Sequence, residues 1–355
     1  MLLTNNRLLT ILGLSLSLAF FNSCEKKATE TTVEEDQENV EKLFDDIVVQ
    51  AEDFKNGCGV KSVDNFFNLE NGTALNQVWA DDISYQLELA LDYNYLNQGQ
   101  TNQLDFSRHA GTYQWMSGAF TKSGTPTDKV IIMAPSSMGQ TTNNATATVS
   151  DYTQQSTTFD GTQYWLPNSA DVTVQVDNND CIGITLEKAV YDNGTFMMPI
   201  DAAATVMMAP FEFEIASKQT SGTSYDMSMT ARNDGDKKFS IEGNMTFSDS
   251  DFSDFTSEDI DKAEGEITYG DFTMPFTINI KALFDLLNPN QTQINEMVKV
   301  SVEYKGMKIA DLEFTDGNTE SIVIIYKDGT REDLNTEYQD LVDRLEVVFS
   351  DFINQ

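Results

Sequence analysis

Histidine, basic residues and long apolar runs are all scarce in this chain, and each shortage removes a class of function. One histidine among 355 residues argues against His-rich metal sites and His pairs. Lysine and arginine total 22 against 57 aspartates and glutamates, for a formal net charge of -35. A phosphate backbone calls for a basic face, so the balance argues against nucleic acid as a partner. It also argues against docking by charge onto an anionic bilayer. Catalytic signatures are missing too: there is no GxSxG elbow, no Walker phosphate loop, no GxGxxG after a strand and no HExxH. No catalytic residue, metal ligand or cofactor is therefore assigned, and a non-enzymatic protein is expected. What is present is apolar mass. Hydrophobic residues make up 40% of the chain, with 22 Phe and 14 Met, enough to bury a sizeable core.

The first residues read as a leader. Arg7 precedes an apolar run at 8–21 (LLTILGLSLSLAFF). The run is shorter than the roughly 20 residues of a membrane span and has the length of a signal-peptide core. It ends in Phe21-Asn22-Ser23-Cys24, and Glu25-Lys26-Lys27 turns polar. A Cys directly after a small residue at this place resembles a bacterial lipobox. The resemblance implies cleavage before Cys24, a diacylglycerol on its thiol and an acyl chain on the new amino terminus. Phe21 and Asn22 depart from the commonest box and look like the relaxed form of the Bacteroidota. An ordinary secretory peptide or a signal anchor is the alternative. Two or three acyl chains make a stable tether, where one is marginal. Cleavage removes Arg7 and no acid, leaving (22 - 1) - 57 = -36.

Export changes how the other cysteines read. With Cys24 lipidated, Cys58 and Cys181 remain as an even pair in an oxidising compartment, a candidate disulfide. Two separate buried thiols are the alternative.

The expected organisation is a signal peptide over 1–23, a flexible tether over 24–36 and a single α+β domain over 37–355, with a weak sub-boundary near 140–148. Val40, Leu43, Phe44, Ile47, Val48, Ala51 and Phe54 form one helical stripe, stopped by Gly57 and Gly59. Further helices are expected from Ser62, over 76–95 and over 331–352. From Gly111 the period changes to two. Tyr225, Met227, Met229 and Ala231 alternate with polar residues. They are followed by Asn233-Asp234-Gly235-Asp236 and a second alternating run, Phe239 to Phe247, a hairpin pattern. Similar runs recur through Phe272–Ile280 and Val298–Tyr304 and on to Tyr326. Segments at 130–133, 145–149, 172–176, 182–186 and 211–215 read as strands as well. Clean alternation means one dry and one wet sheet face, so the sheet is expected to be large and mainly antiparallel, covered by amphipathic helices at the two ends.

Four features invite chemistry, each with a plain structural counterpart. His109 is the only imidazole, and no neighbourhood supports a triad built on it. The acidic stretch from Asp249 to Asp261 offers alternate oxygen ligands suited to Ca²⁺, but lacks the EF-hand glycine. Its counterpart is a strand-to-helix connection capped by Ser257 and ended by Gly265. Trp79, Trp115 and Trp165 are candidate sugar-stacking groups or ordinary packing, with Trp165 in an expected loop. Met197, Met198, Met207, Met208, Met227, Met229, Met245 and Met274 are core residues, or the lining of an adaptable apolar pocket.

Gly111-Thr112-Tyr113-Gln114-Trp115, Asp128-Lys129-Val130-Ile131-Ile132, Tyr269-Gly270-Asp271-Phe272 and the run Lys305 to Leu312 resemble segments of cell-envelope lipoproteins of the Bacteroidota over roughly 111–350. The resemblance implies a membrane-tethered envelope protein and transfers no catalytic residue. The expected function is a lipid-anchored protein with a binding or structural role, on the periplasmic face or the cell surface of the outer membrane. Its partner is a membrane, through the anchor, plus a protein, glycan or lipid. A carrier of an apolar ligand and a glycan-binding module are the alternatives.

Overall fold

The computed structural model describes residues 31–67, 85, 87, 104–159, 161–192, 198–249, 259–286, 290–314 and 322–334. Three helices lead the chain: α1 (Val33–Asn56), α2 (Cys58–Phe67) and the single turn α3 (Phe106–His109). Strands β1 (Gly111–Met116), β2 (Ala119–Ser123), β3 (Val130–Ala134), β4 (Ala145–Phe159), β5 (Thr162–Val176), β6 (Asn179–Val190), β7 (Asp201–Met208) and β8 (Phe211–Ser221) follow. Then come β9 (Ser224–Asn233), β10 (Asp236–Phe247), β11 (Ile260–Tyr269) and β12 (Phe272–Ile278). Short helices α4 (Ile280–Asp285) and α5 (Gln291–Met297) lead to β13 (Val298–Tyr304), β14 (Met307–Phe314), β15 (Ile322–Tyr326) and β16 (Arg331–Asp333).

The strands make one sixteen-stranded sheet in the order β16 down to β3, then β1 and β2. The parallel pairing is β1 on β3; the other registered pairs are antiparallel. Nearly every strand lies beside its sequence neighbour, as hairpin-rich alternation requires. Asp177-Asn178, Asp234-Gly235 and Lys305-Gly306 each have two successive positive φ values, the primed-turn geometry that matches strand twist.

The class is thus mainly-β with an N-terminal helix, which corrects the expected α+β. Arg331–Asp333 was expected to open a C-terminal helix; it pairs with Val323–Ile325 as β16 instead. The cause is local. The Asp328 carboxylate accepts from Thr330 N at 2.8 Å and from the Thr330 hydroxyl at 2.9 Å, closing a turn that sends the chain back along β15. The rest of that expected helix, and most of the one expected over 76–95, lie outside the described residues.

Gly265 does not end a helix: it lies mid-way along β11, opposite Gly243 of β10. A Cβ on Gly265 would come within 2.2 Å of Glu242 O, and one on Gly243 within 2.5 Å of Glu264 O. The two strands approach so closely there that a side chain has no room. The short expected helix was inferred from Gly265 as a stop signal, but its role is this close approach.

The chain divides into two compact units. The first holds most of α1 and the strands from β9 on; the second holds α2, α3 and β1–β7. The division runs through β8 between Ser217 and Lys218, away from the 140–148 stretch. In the first unit, register puts Ala231, Phe239, Tyr269 and Phe272 in one row, and Met229, Ile241, Ile267 and Met274 in the next. Tyr225, Met245, Ala263 and Ile278 form a further row of the same face. Val40, Leu43, Phe44, Ile47, Val48 and Ala51 of α1 are buried, the stripe read from spacing. Helices α4 and α5, the latter with an Asn290/Gln293 capping box, close the β12–β13 connection over Ala263, Ile278 and Val298.

In the second unit Val130, Val149, Val172, Ile184 and Val206 share one row across β3 to β7. Phe54 meets Phe211 and Phe213 edge-on, with ring centroids 5.6 and 6.0 Å apart.

Candidate functional site

Two structures bind the amino-terminal part of the chain to the sheet. The first is a latch at the start of α1. The segment Thr32-Val33-Glu34-Glu35 forms a capping box: Thr32 Oγ1 accepts from Glu35 N at 3.2 Å, and the Glu35 carboxylate accepts from Thr32 N at 2.9 Å. Glu34, Glu35 and Asp36 fill the first turn, favoured beside the positive end of the helix. The helix therefore begins ahead of Val40, and residues 33–36 of the expected tether are helical.

Asp36 is 0% exposed. Its carboxylate pairs with Lys327 Nζ at 2.9 Å and accepts from the Thr31 hydroxyl. Lys327 Nζ also donates to the Thr31 carbonyl. The next residue, Gln37, donates to Glu332, whose other oxygen accepts from Tyr326 OH at 2.7 Å. The β15–β16 hairpin thus grips both backbone and side chains at the helix start. The Thr32/Glu35 spacing is a capping-box signature inside the stretch read as tether, and that reading missed it; the Asp36–Lys327 pair, almost the whole chain apart, leaves no local signal.

The second structure is a clamp. Cys58 and Cys181 are joined as a disulfide, with Cα atoms 5.1 Å apart. Helix α2 starts at Cys58, ahead of the expected Ser62, because Gly57 and Gly59 let the chain lie backbone-to-backbone on the β6–β7 end. A Cβ on Gly57 would come within 2.1 Å of Ala209 O, and one on Gly59 within 2.8 Å of Cys181 O. Gly59 N donates to Ala209 O at 3.3 Å, and Ala209 N to Cys181 O at 3.0 Å.

The other singled-out residues scatter. His109 ends the turn α3, and its carbonyl accepts from Tyr113 OH at 2.8 Å. Nearby, Ser107 Oγ donates to the Asp105 carboxylate at 2.7 Å. Trp115 is on β1, edge-on to Phe120 at 5.2 Å. Trp165 is in β5 opposite Ser156, in a strand rather than the expected loop, because β4 and β5 continue as a long hairpin. Two glutamines hold that hairpin. Gln154 bonds Leu104 N and O, and Gln155 bonds Tyr191 N and O, each mimicking a backbone pair. The tryptophans at 115 and 165 stand on strands separated by β3 and β4; Trp79 lies outside the described residues.

Met227, Met229, Met245 and Met274 do share one face. Met207 and Met208 alternate, with Met207 opposite Gly183 and Met208 opposite Ile182, so that pair serves both faces. Met198 lies before β7, and Met197 is outside the described residues.

Cys24 and residues 250–258 of the acidic stretch also lie outside the described residues. Among the described residues no group of three His, Cys, Asp or Glu side chains is placed to hold a metal ion. Likewise, no described helix is long and apolar enough to cross a membrane.

Burial pushes the Tyr269 phenol far above its usual range, and the Asp46 carboxylate pushes it further. Burial also raises the Asp46 carboxyl; Lys42 lowers it and Asp45 raises it. Tyr152 and Tyr191 are raised by burial as well. In each case burial disfavours the charged form of the group. No family model matches the chain, and neither does any curated protein or solved structure.

Proposed function

We propose that this chain is a lipid-anchored protein of the bacterial cell envelope, akin to Bacteroidota lipoproteins, with a non-enzymatic binding or structural role. The observation that carries it is the leader ending at Ser23-Cys24, followed by six residues and then by Thr31 held in the latch. The Cys58–Cys181 disulfide supports an oxidising compartment. The broad sheet, with its acids on solvent-facing strand positions and turns, supports a display or scaffold role. Fractionation of cells expressing the wild type and Cys24→Ala tests this. The wild type is expected in the membrane fraction, and the variant as unprocessed precursor or as soluble protein. A Cys24→Ala protein that is cleaved normally and stays membrane-bound contradicts the anchor.

A second reading, a carrier of an apolar ligand, draws on the second unit. Ile184 lies within the row Val130–Val149–Val172–Ile184–Val206 yet is 41% exposed. Mass spectrometry of organic extracts from the natively purified protein tests it. A stoichiometric lipid beyond the anchor supports the carrier, and none removes it.

A further inference from the structure

We propose that the β15–β16 hairpin around Lys327–Arg331 is the membrane-proximal end of the first unit. This rests on the lipid-anchor reading and adds to it which surface meets the bilayer. From Cys24 to Thr31 there are seven peptide steps, a reach of at most roughly 25 Å when fully extended. Without the latch, the first fixed point of the chain would lie further along α1.

The latch prevents this. Lys327 Nζ holds the Thr31 carbonyl and also the Asp36 carboxylate, which is fully buried. The capping box fixes Thr32 and Glu35 next to it. Thr31 is therefore fixed to the hairpin, and an anchor at Cys24 keeps the hairpin within the reach of the seven intervening steps from the bilayer surface. Its exposed cations are already paired: Lys327 with Asp36, and Arg331 with Glu313 at 3.5 Å. The approach is thus set by the covalent anchor and not by a basic face, as the net charge of -35 requires.

The test uses full-length protein lipidated in cells and reconstituted into phosphatidylethanolamine/phosphatidylglycerol vesicles. A fluorescent donor is placed at Arg331→Cys and an acceptor on lipid headgroups. The expected donor-to-surface distance is no more than about 35 Å, tether reach plus label. Inserting fifteen Gly/Ser residues after Ala28 leaves the latch intact and is expected to lower energy transfer. Lys327→Met, which opens the latch, is expected to lower it as well. If the variant with Lys327 replaced does not fold, the insertion variant still decides. Vesicle-bound protein with a larger separation, or with transfer unchanged by the insertion, overturns the proposal while leaving the anchor in place. Protein that carries no acyl mass and does not sediment with vesicles overturns both.

Discussion

At the residue scale, the positions that matter most are those where a side chain is forbidden or a charge is hidden. Gly243 and Gly265 face each other with no room for a Cβ. Gly265→Ala is expected to cost about 2–3 kcal/mol through forced backbone shift, read as a lower urea midpoint with an unchanged slope. Gly183 is the control, since its added Cβ would rest 3.4 Å from Met207 Cβ, an ordinary contact. Gly183→Ala should fall within about 1 kcal/mol of wild type. Equal effects at 183 and 265 would mean the close approach is not real.

Tyr269 makes a prediction of opposite character. Its folded pKa is raised by burial and by Asp46, while the unfolded phenol ionises near about pH 10. Above that pH the unfolded state binds fewer protons than the folded one, so the stability present at lower pH is lost as pH rises. Tyr269→Phe should flatten the alkaline fall in stability measured between about pH 9 and 11. An unchanged slope would assign the fall to Tyr152, Tyr191 or other groups.

At the scale of elements, much of the fold could be read from periodicity. The α1 stripe, the hairpins around Asp234-Gly235 and Lys305-Gly306, and the strands at β3 to β6 and β8 all follow patterns that need no partner to be seen. β7 (Asp201–Met208) was not anticipated, because Ala202-Ala203-Ala204 has no alternation. β11 was hidden by Gly265, and β16 by the helix expected over 331–352, whose first three residues pair with β15 instead. At β11 and β16 tertiary pairing overrode a local signal, whereas at β7 there was no local signal to read. Part of the candidate site was legible: Cys58 and Cys181 stand out by arithmetic, while the Thr32/Glu35 signature was passed over in a stretch taken for tether. Neither the Asp36–Lys327 contact nor the Gln154 and Gln155 bridges leave any local trace.

The disulfide is also an element-scale device. It ties the start of α2 to β6 across a sequence separation of 123 residues. In the loop-entropy account such a closure is worth about 4–5 kcal/mol. Cys58→Ser with Cys181→Ser, or wild type in reductant, should therefore show a urea midpoint lower by that amount over the measured slope. A midpoint indifferent to reductant would mean that the two thiols do not pair in solution.

At the scale of the molecule, charge and architecture fit one environment. Glu242 and Glu266 are opposite each other in register, on the side of the sheet away from Ile241 and Ile267. Like charges facing across strands are tolerable only where water screens them. The edges are managed as well: β2 is short, mostly exposed and carries Lys122, and β16 has three residues, Arg331 to Asp333. A sheet of this breadth, acidic on its wet side and held at its amino terminus by a latch and a clamp, suits a protein displayed on a short tether.

The most direct measurement is the mass of the amino-terminal peptide from protein purified out of native membranes. The account predicts a peptide beginning at Cys24 and carrying a thioether-linked diacylglycerol with or without a further N-acyl chain. An unmodified peptide beginning at any other residue, or one retaining the 8–21 leader, would contradict it.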